Sequence, residues 1–135
     1  MVRMGLRNAH PRVRPRLREL LRMLRRITGD ARSVGRVEIL FTTDAHIAGL
    51  AGRYRGSPHP TDVLAFPDGA SGGGEIAISL DTARRQARER AVSLQEELLL
   101  LSVHGLLHVS GQGDETRRAW CEMRVREFEA LVKIL

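Results

Sequence analysis

The segment from Leu94 to Ser110 places the strongest constraint on the fold. Ser93 followed by Glu96 forms a capping-box pattern, which predicts that a helix begins here. The residues that follow are apolar on most sides of such a helix, so the helix must be buried at the centre of the protein. No apolar run in the sequence reaches the roughly 18 residues that a membrane span needs. We therefore expect a globular protein built around one buried helix.

Two histidines lie near the C-terminal end of this predicted helix. His104 and His108 are four residues apart, which places both rings on one helical face with Cβ atoms about 5–6 Å apart. Gly111 can take the left-handed conformation that ends a helix, and the reversed chain can then bring Asp114 to the same point. Two imidazoles and a carboxylate are the ligands of an open metal site that keeps a position for water. The alternative, two unrelated helical histidines, leaves buried imidazoles in need of partners.

Positive charge is concentrated in the first third of the chain. Residues 1–36 contain 11 arginines and two acidic residues, a balance of +9, whereas the whole chain carries +6. Leucines recur at helical spacing from residue 17, and four arginines are predicted on the opposite side: Arg14, Arg18, Arg22 and Arg25. Such asymmetry predicts a surface that faces a polyanion, most simply nucleic acid. A solvated helix face is the alternative.

Length and cysteine usage bound the class of protein. The chain has 135 residues, of which 42% are hydrophobic, and we expect a single domain over residues 1–135. Cys121 is the only cysteine, so an internal disulfide is impossible and a reducing cytoplasm fits. The N-terminal stretch contains arginines without a continuous apolar region, so no signal peptide is expected.

Hydrophobic periodicity predicts four strands and about five helices. The strands are expected near residues 2–6, 37–41, 61–67 and 75–79. The helices are expected near residues 17–27, 46–50, 80–91, 94–110 and 115–132. The resulting order, β-α-β-α-β-β-α-α-α, predicts an α+β fold in which a four-stranded mixed sheet is packed by about five helices.

Several segments resemble one family. The residues from His104 to Glu115 read His-Gly-Leu-Leu-His-Val-Ser-Gly-Gln-Gly-Asp-Glu, which resembles the signature of the YbeY-type bacterial endoribonucleases, the rRNA maturation factors. Tyr54-Arg55 followed by Thr61–Pro67 resembles a second family segment, and Gly74–Ser79 resembles a third. The resemblance extends from about Leu40 to the C-terminus, and the N-terminal third matches in layout only.

The resemblance implies a function and its residues. It implies a metal-dependent endoribonuclease that cleaves single-stranded RNA in 16S rRNA maturation and ribosome quality control, with rRNA and ribosomal particles as partners. The implied metal is one Zn²⁺ per chain, bound by His104, His108 and the residue at the third ligand position. Arg55 is the implied catalytic residue, because its planar guanidinium can hold a phosphate by two parallel hydrogen bonds.

The third ligand departs from the family pattern. The family has a histidine there, whereas alignment without a gap places Asp114 at this position and a one-residue gap would offer Glu115. Aspartate can ligate zinc at about 2.0–2.2 Å, and a carboxylate also makes Mn²⁺ or Mg²⁺ an option. The altered ligand leaves open a second hypothesis, a non-catalytic RNA-binding factor of ribosome assembly with a structural metal.

A metallopeptidase is a third, less favoured hypothesis. Zinc peptidases carry the pattern His-Glu-x-x-His, in which the glutamate is the general base. Gly105 occupies the position of that glutamate here. A peptidase would therefore lack its base, even though the histidine spacing is the same.

Overall fold

The computed structural model describes residues 3–28, 35–56, 61–68 and 73–109. Within these ranges the chain forms four strands and four helices, and the fifth predicted helix, at 115–132, lies outside them. In chain order the elements are β1 (Arg3–Asn8), α1 (Leu17–Thr28), β2 (Arg36–Thr42), α2 (Asp44–Arg55), β3 (Val63–Pro67), β4 (Gly74–Ser79), α3 (Leu80–Arg90) and α4 (Leu94–Val109). The predicted α+β class is confirmed.

The four strands form one mixed sheet in the order β1-β2-β4-β3. Strands β1, β2 and β4 are parallel, and β3 is antiparallel to β4 at one edge. One face of the sheet presents Ile39 and Ile76, which pair across β2 and β4, to a core shared with α1, α3 and α4. The opposite face presents Leu64 and Ala77 to α2. Helix α2 thus packs on the face of the sheet opposite the main core and meets α3 at the helix starts.

Helix α4 is the central helix that the sequence predicted. Ser93 Oγ accepts a hydrogen bond of 3.1 Å from Glu96 N, as the capping pattern requires. Four consecutive leucines, residues 98–101, are at most 7% exposed. The helix contacts β3, β4, α1 and α3, so burial on several sides stabilises it. None of the four described helices could span a lipid bilayer.

Helix α2 is longer than predicted. The sequence predicts a short helix at 46–50 and a loop from Gly52, and glycine in a helix interior costs about 0.5–1 kcal/mol. The helix instead continues to Arg55, because Ile47 and Ala51 are buried against the sheet and this packing outweighs the local preference. Gly56, with φ of 71°, ends the helix. Arg55 is therefore the last helical residue and not a loop residue.

A polar network, absent from the sequence predictions, fixes the start of α2 and of α3. The Asp44 carboxylate accepts hydrogen bonds from Ser79 Oγ (2.5 Å), Thr82 Oγ1 (2.6 Å) and Arg85 Nη2 (3.0 Å). Burial alone would raise the pKa of Asp44, but these three donors outweigh it and hold the pKa below its ordinary value. The ionised carboxylate thus ties α2 to α3 at the C-terminal ends of β2 and β4.

Candidate metal centre

The two predicted metal-binding histidines lie at the C-terminal end of α4. His104 is half-buried and His108 is exposed, one helical turn further along. Their spacing places both rings on one side of the helix, within its last two turns. The Nε2 atom of His104 is buried, whereas the His108 side chain is exposed to solvent. Two imidazoles suit zinc. An open zinc site has three protein ligands, so one further ligand is needed.

Gly105 holds this end of α4 against the sheet. A Cβ atom at position 105 would lie 2.7 Å from Cγ2 of Ile76 and 2.9 Å from its Cδ1, and Ile76 is only 1% exposed. The helix therefore approaches β4 as closely as a glycine allows. A glutamate, the general base of the peptidase pattern, would be directed into this contact. Packing thus adds a steric argument against the metallopeptidase hypothesis.

The third predicted ligand, Asp114, and its alternative, Glu115, both lie outside the described residues. Within 3–28, 35–56, 61–68 and 73–109, no three His, Cys, Asp or Glu side chains come together as a metal site. The described part of the chain therefore supplies two of the three predicted ligands. The assignment of the third stays a prediction from the sequence.

The last turn of α2, which ends at Arg55, and the part of α4 that carries the histidines lie near the same end of the sheet but on opposite faces. Tyr54, the neighbour of Arg55, contacts Phe66 near the end of β3, with ring centroids 5.2 Å apart. Gly105 on the other face sits over Ile76, which pairs with Ala65 of the same strand. Among the described elements, β3 is an edge strand of the sheet. The two faces therefore adjoin along β3.

The basic face of α1 is confirmed for three of the four predicted arginines. Arg18, Arg22 and Arg25 are exposed on the helix, whose opposite side buries Leu20 and Leu24. Arg14 was wrongly placed on this face. It precedes the helix, and its Nη1 donates a 2.6 Å hydrogen bond to the carbonyl of His10. Its guanidinium therefore stabilises the loop before α1.

A groove on the α2 face of the sheet was not predicted from the sequence. It has a volume of about 530 Å³ and lies between α2 and strands β2, β3 and β4. His46, Leu50 and Tyr54, spaced four residues apart, form its helical wall. The sequence did contain a signal for the strand wall of this groove. In β2, Glu38 and Leu40 alternate with the buried residues and so point away from the main core. The helical wall could not be predicted, because the helix was assigned an end at residue 50.

Comparisons with known proteins identify the family of this chain. The family model for endoribonuclease YbeY matches residues 7–134. Endoribonuclease YbeY of Pelotomaculum thermopropionicum is 42% identical over 111 residues, covering 73% of this chain and 71% of that protein. Its counterpart from Thermus thermophilus is 39% identical over 113 residues, covering 78% of this chain and 80% of that protein.

A solved structure has a similar fold. The solution structure of TM1509 from Thermotoga maritima matches with a TM-score of 0.65 and 24% identity, covering 98% of this chain and 92% of that chain. The similarity extends over nearly the whole chain in sequence and in fold. The chain therefore belongs to the endoribonuclease YbeY family.

Proposed function

We propose that this protein is a metal-dependent endoribonuclease that cleaves single-stranded RNA in 16S rRNA maturation and ribosome quality control. One observation carries the proposal: the match to the endoribonuclease family spans residues 7–134 and so includes both histidines and Arg55. The histidine pair near the end of α4, spaced to lie on one side of the helix, supports a metal centre. The basic face of α1 supports a nucleic-acid partner.

The proposed mechanism assigns a task to each residue. His104, His108 and Asp114 would hold one zinc ion per chain, or another divalent ion. Bound zinc would supply an acidified water and a Lewis acid for a phosphoryl oxygen. Arg55 holds the non-bridging oxygens of the scissile phosphate and orients the bond for in-line attack. Gly105 allows α4 to contact Ile76 directly, which fixes the position of the histidine pair relative to β4.

Arg55→Ala tests this assignment. We expect a loss of cleavage of roughly 10²-fold, the effect of removing one preorganised donor from a developing negative charge. Metal content and melting temperature should stay at the wild-type level. The measurement is the cleavage rate of a labelled single-stranded RNA, beside elemental analysis and thermal unfolding.

The matched control is Arg53→Ala, which removes an exposed arginine two residues earlier in the same helix. Arg53→Ala should leave the cleavage rate near that of the wild type. If Arg55→Ala also loses the metal, Arg55 has a structural role. Equal losses from both variants would mean that only the total positive charge matters.

A second prediction concerns the basic face of α1. The double variant Arg18→Gln/Arg22→Gln should bind single-stranded RNA more weakly and reduce the slope of log K against log [salt] by about 1.4, which is 0.7 for each lost phosphate contact. The control removes the same charge from the exposed face of α3, as Arg84→Gln/Arg88→Gln, and should leave the slope nearly unchanged. If Arg18→Gln/Arg22→Gln keeps the slope of the wild type, the α1 face is solvated and does not contact RNA.

A further inference from the structure

The groove on the α2 face has the lining of a binding site for a small polar, planar group. Its apolar surfaces come from Leu40, Leu50 and Ala77, and its charged residues come from the strands. Sites for small molecules commonly have about 300–1,000 Å³ of volume, an apolar lining and a few convergent polar groups. The groove, at about 530 Å³, falls within this range.

The charges around the groove balance. Glu38 and Glu75 are directly paired across β2 and β4 and both line the groove. Arg36 Nε donates a hydrogen bond to the Glu38 carboxylate, and Arg7 lines the groove from β1. Two arginines thus offset two glutamates, which favours a neutral ligand over a phosphate. Because Glu38 is already engaged by Arg36, the exposed Glu75 is the carboxylate that is better placed to accept hydrogen bonds from a ligand.

Aromatic side chains line the groove at the end where Glu75 lies. Tyr54 is 62% exposed, an unusual value for a large apolar side chain, and its ring meets Phe66 at an angle of 65°. Phe66 pairs with Glu75 across β3 and β4. The Phe66 contact orients the Tyr54 ring while most of its surface stays in solvent. Nucleobases of single strands stack on such aromatic rings.

We propose that this groove binds a guanine base of the single-stranded RNA substrate, stacked on Tyr54 and held through its Watson–Crick edge by Glu75. Guanine presents two adjacent donors, N1–H and the N2 amino group, to the two oxygens of one carboxylate. Adenine, cytosine and uracil each lack this pair of donors. Tyr54 precedes Arg55 in α2, so the base site adjoins the residue assigned to the phosphate. The inference rests on the proposed function, because it takes single-stranded RNA as the substrate.

The experiment measures binding without cleavage. Fluorescein-labelled 2′-O-methyl pentanucleotides UUGUU and UUAUU are titrated with the 135-residue protein, dissociation constants are read from anisotropy, and electrophoresis verifies that both oligonucleotides stay intact. Wild type should prefer UUGUU by about 5- to 100-fold, the discrimination expected of one bidentate contact to a base. Glu75→Gln should reduce the preference to less than about twofold. Tyr54→Ala should weaken binding of both oligonucleotides by about 5- to 100-fold.

Two conservative variants serve as controls. Tyr54→Phe keeps the stacking ring and should bind both oligonucleotides like the wild type. Glu89→Gln removes a carboxylate from the exposed face of α3 and should keep the guanine preference. Tyr54 is largely exposed, so a melting temperature near that of the wild type will show that Tyr54→Ala is folded.

The outcomes separate the groove from the proposed function. Equal affinity of wild type for UUGUU and UUAUU, or wild-type binding by Tyr54→Ala, overturns the base site. Cleavage of an unmodified RNA by the wild-type protein is measured in parallel. Guanine-selective binding without any cleavage would keep the groove and reject the endoribonuclease, whereas cleavage without selective binding would do the reverse.

Discussion

Gly105→Ala is expected to lower the free energy of unfolding by about 1–3 kcal/mol, the usual cost of inserting a methyl group into a packed core. In an open helix the same change would stabilise the protein by about 0.5–1 kcal/mol, so the sign of the effect is informative. The reason is the 2.7 Å approach of the new Cβ atom to Ile76 Cγ2, in a core where both residues are buried. Urea denaturation of the two proteins measures the difference.

The contact itself is tested by a double-mutant cycle with Ile76→Ala, which removes all three side-chain atoms that the new methyl group would meet. Gly105→Ala should cost less in this background than in the wild type. Gly49→Ala is the matched control, because no atom lies within 4 Å of the Cβ position there. If Gly105→Ala stabilises the protein as Gly49→Ala does, α4 is not held against β4 in the way described. We also expect Gly105→Ala to weaken metal binding, because it displaces the turn that carries both histidines.

The sequence predicted α4 well because its local signals agree with its tertiary environment. The cap at Ser93, the run of leucines and the histidine spacing all indicate one helix, and the helix is buried as such a pattern requires. The end of α2 was predicted wrongly for the opposite reason. Gly49 and Gly52 disfavour a helix locally, and only the contact of Ile47 and Ala51 with the sheet, which no local pattern reveals, extends it to Arg55.

The same distinction applies to the sites. Two ligands on one helix are related by helical geometry, so their proximity follows from the spacing of His104 and His108. The groove combines Tyr54 of α2 with Glu75 of β4. Their proximity depends on the packing of α2 on the sheet, and no spacing along the chain indicates it. The position of Arg14 could not be predicted from helical periodicity. The periodicity does not reveal that α1 begins three residues later, or that the Arg14 guanidinium donates hydrogen bonds to loop carbonyls.

Asp114→Ala is expected to remove metal and RNA cleavage together. Loss of an outer-shell partner of a metal site already costs about 10–100-fold in metal affinity, so loss of a direct ligand should cost more than about 100-fold. Asp114→His should keep the metal and bind it at least as tightly, since it restores the ligand set of the family. Metal content by elemental analysis and cleavage of a single-stranded RNA are measured on the same preparations, with and without added zinc.

Glu115→Ala is the control that decides between the two alignments. With Asp114 as the third ligand, Glu115→Ala keeps its metal, and any effect is limited to the start of the helix predicted at 115–132. If Asp114→Ala retains full metal while Glu115→Ala loses it, the gapped alignment is correct and Glu115 is the ligand.

A carboxylate at either position lowers the positive charge of the site relative to a third imidazole, so the wild type should cleave RNA more slowly than Asp114→His. If the wild type binds no metal even with added zinc, the metal-dependent endoribonuclease is rejected. RNA binding through the α1 face would then support a non-catalytic factor.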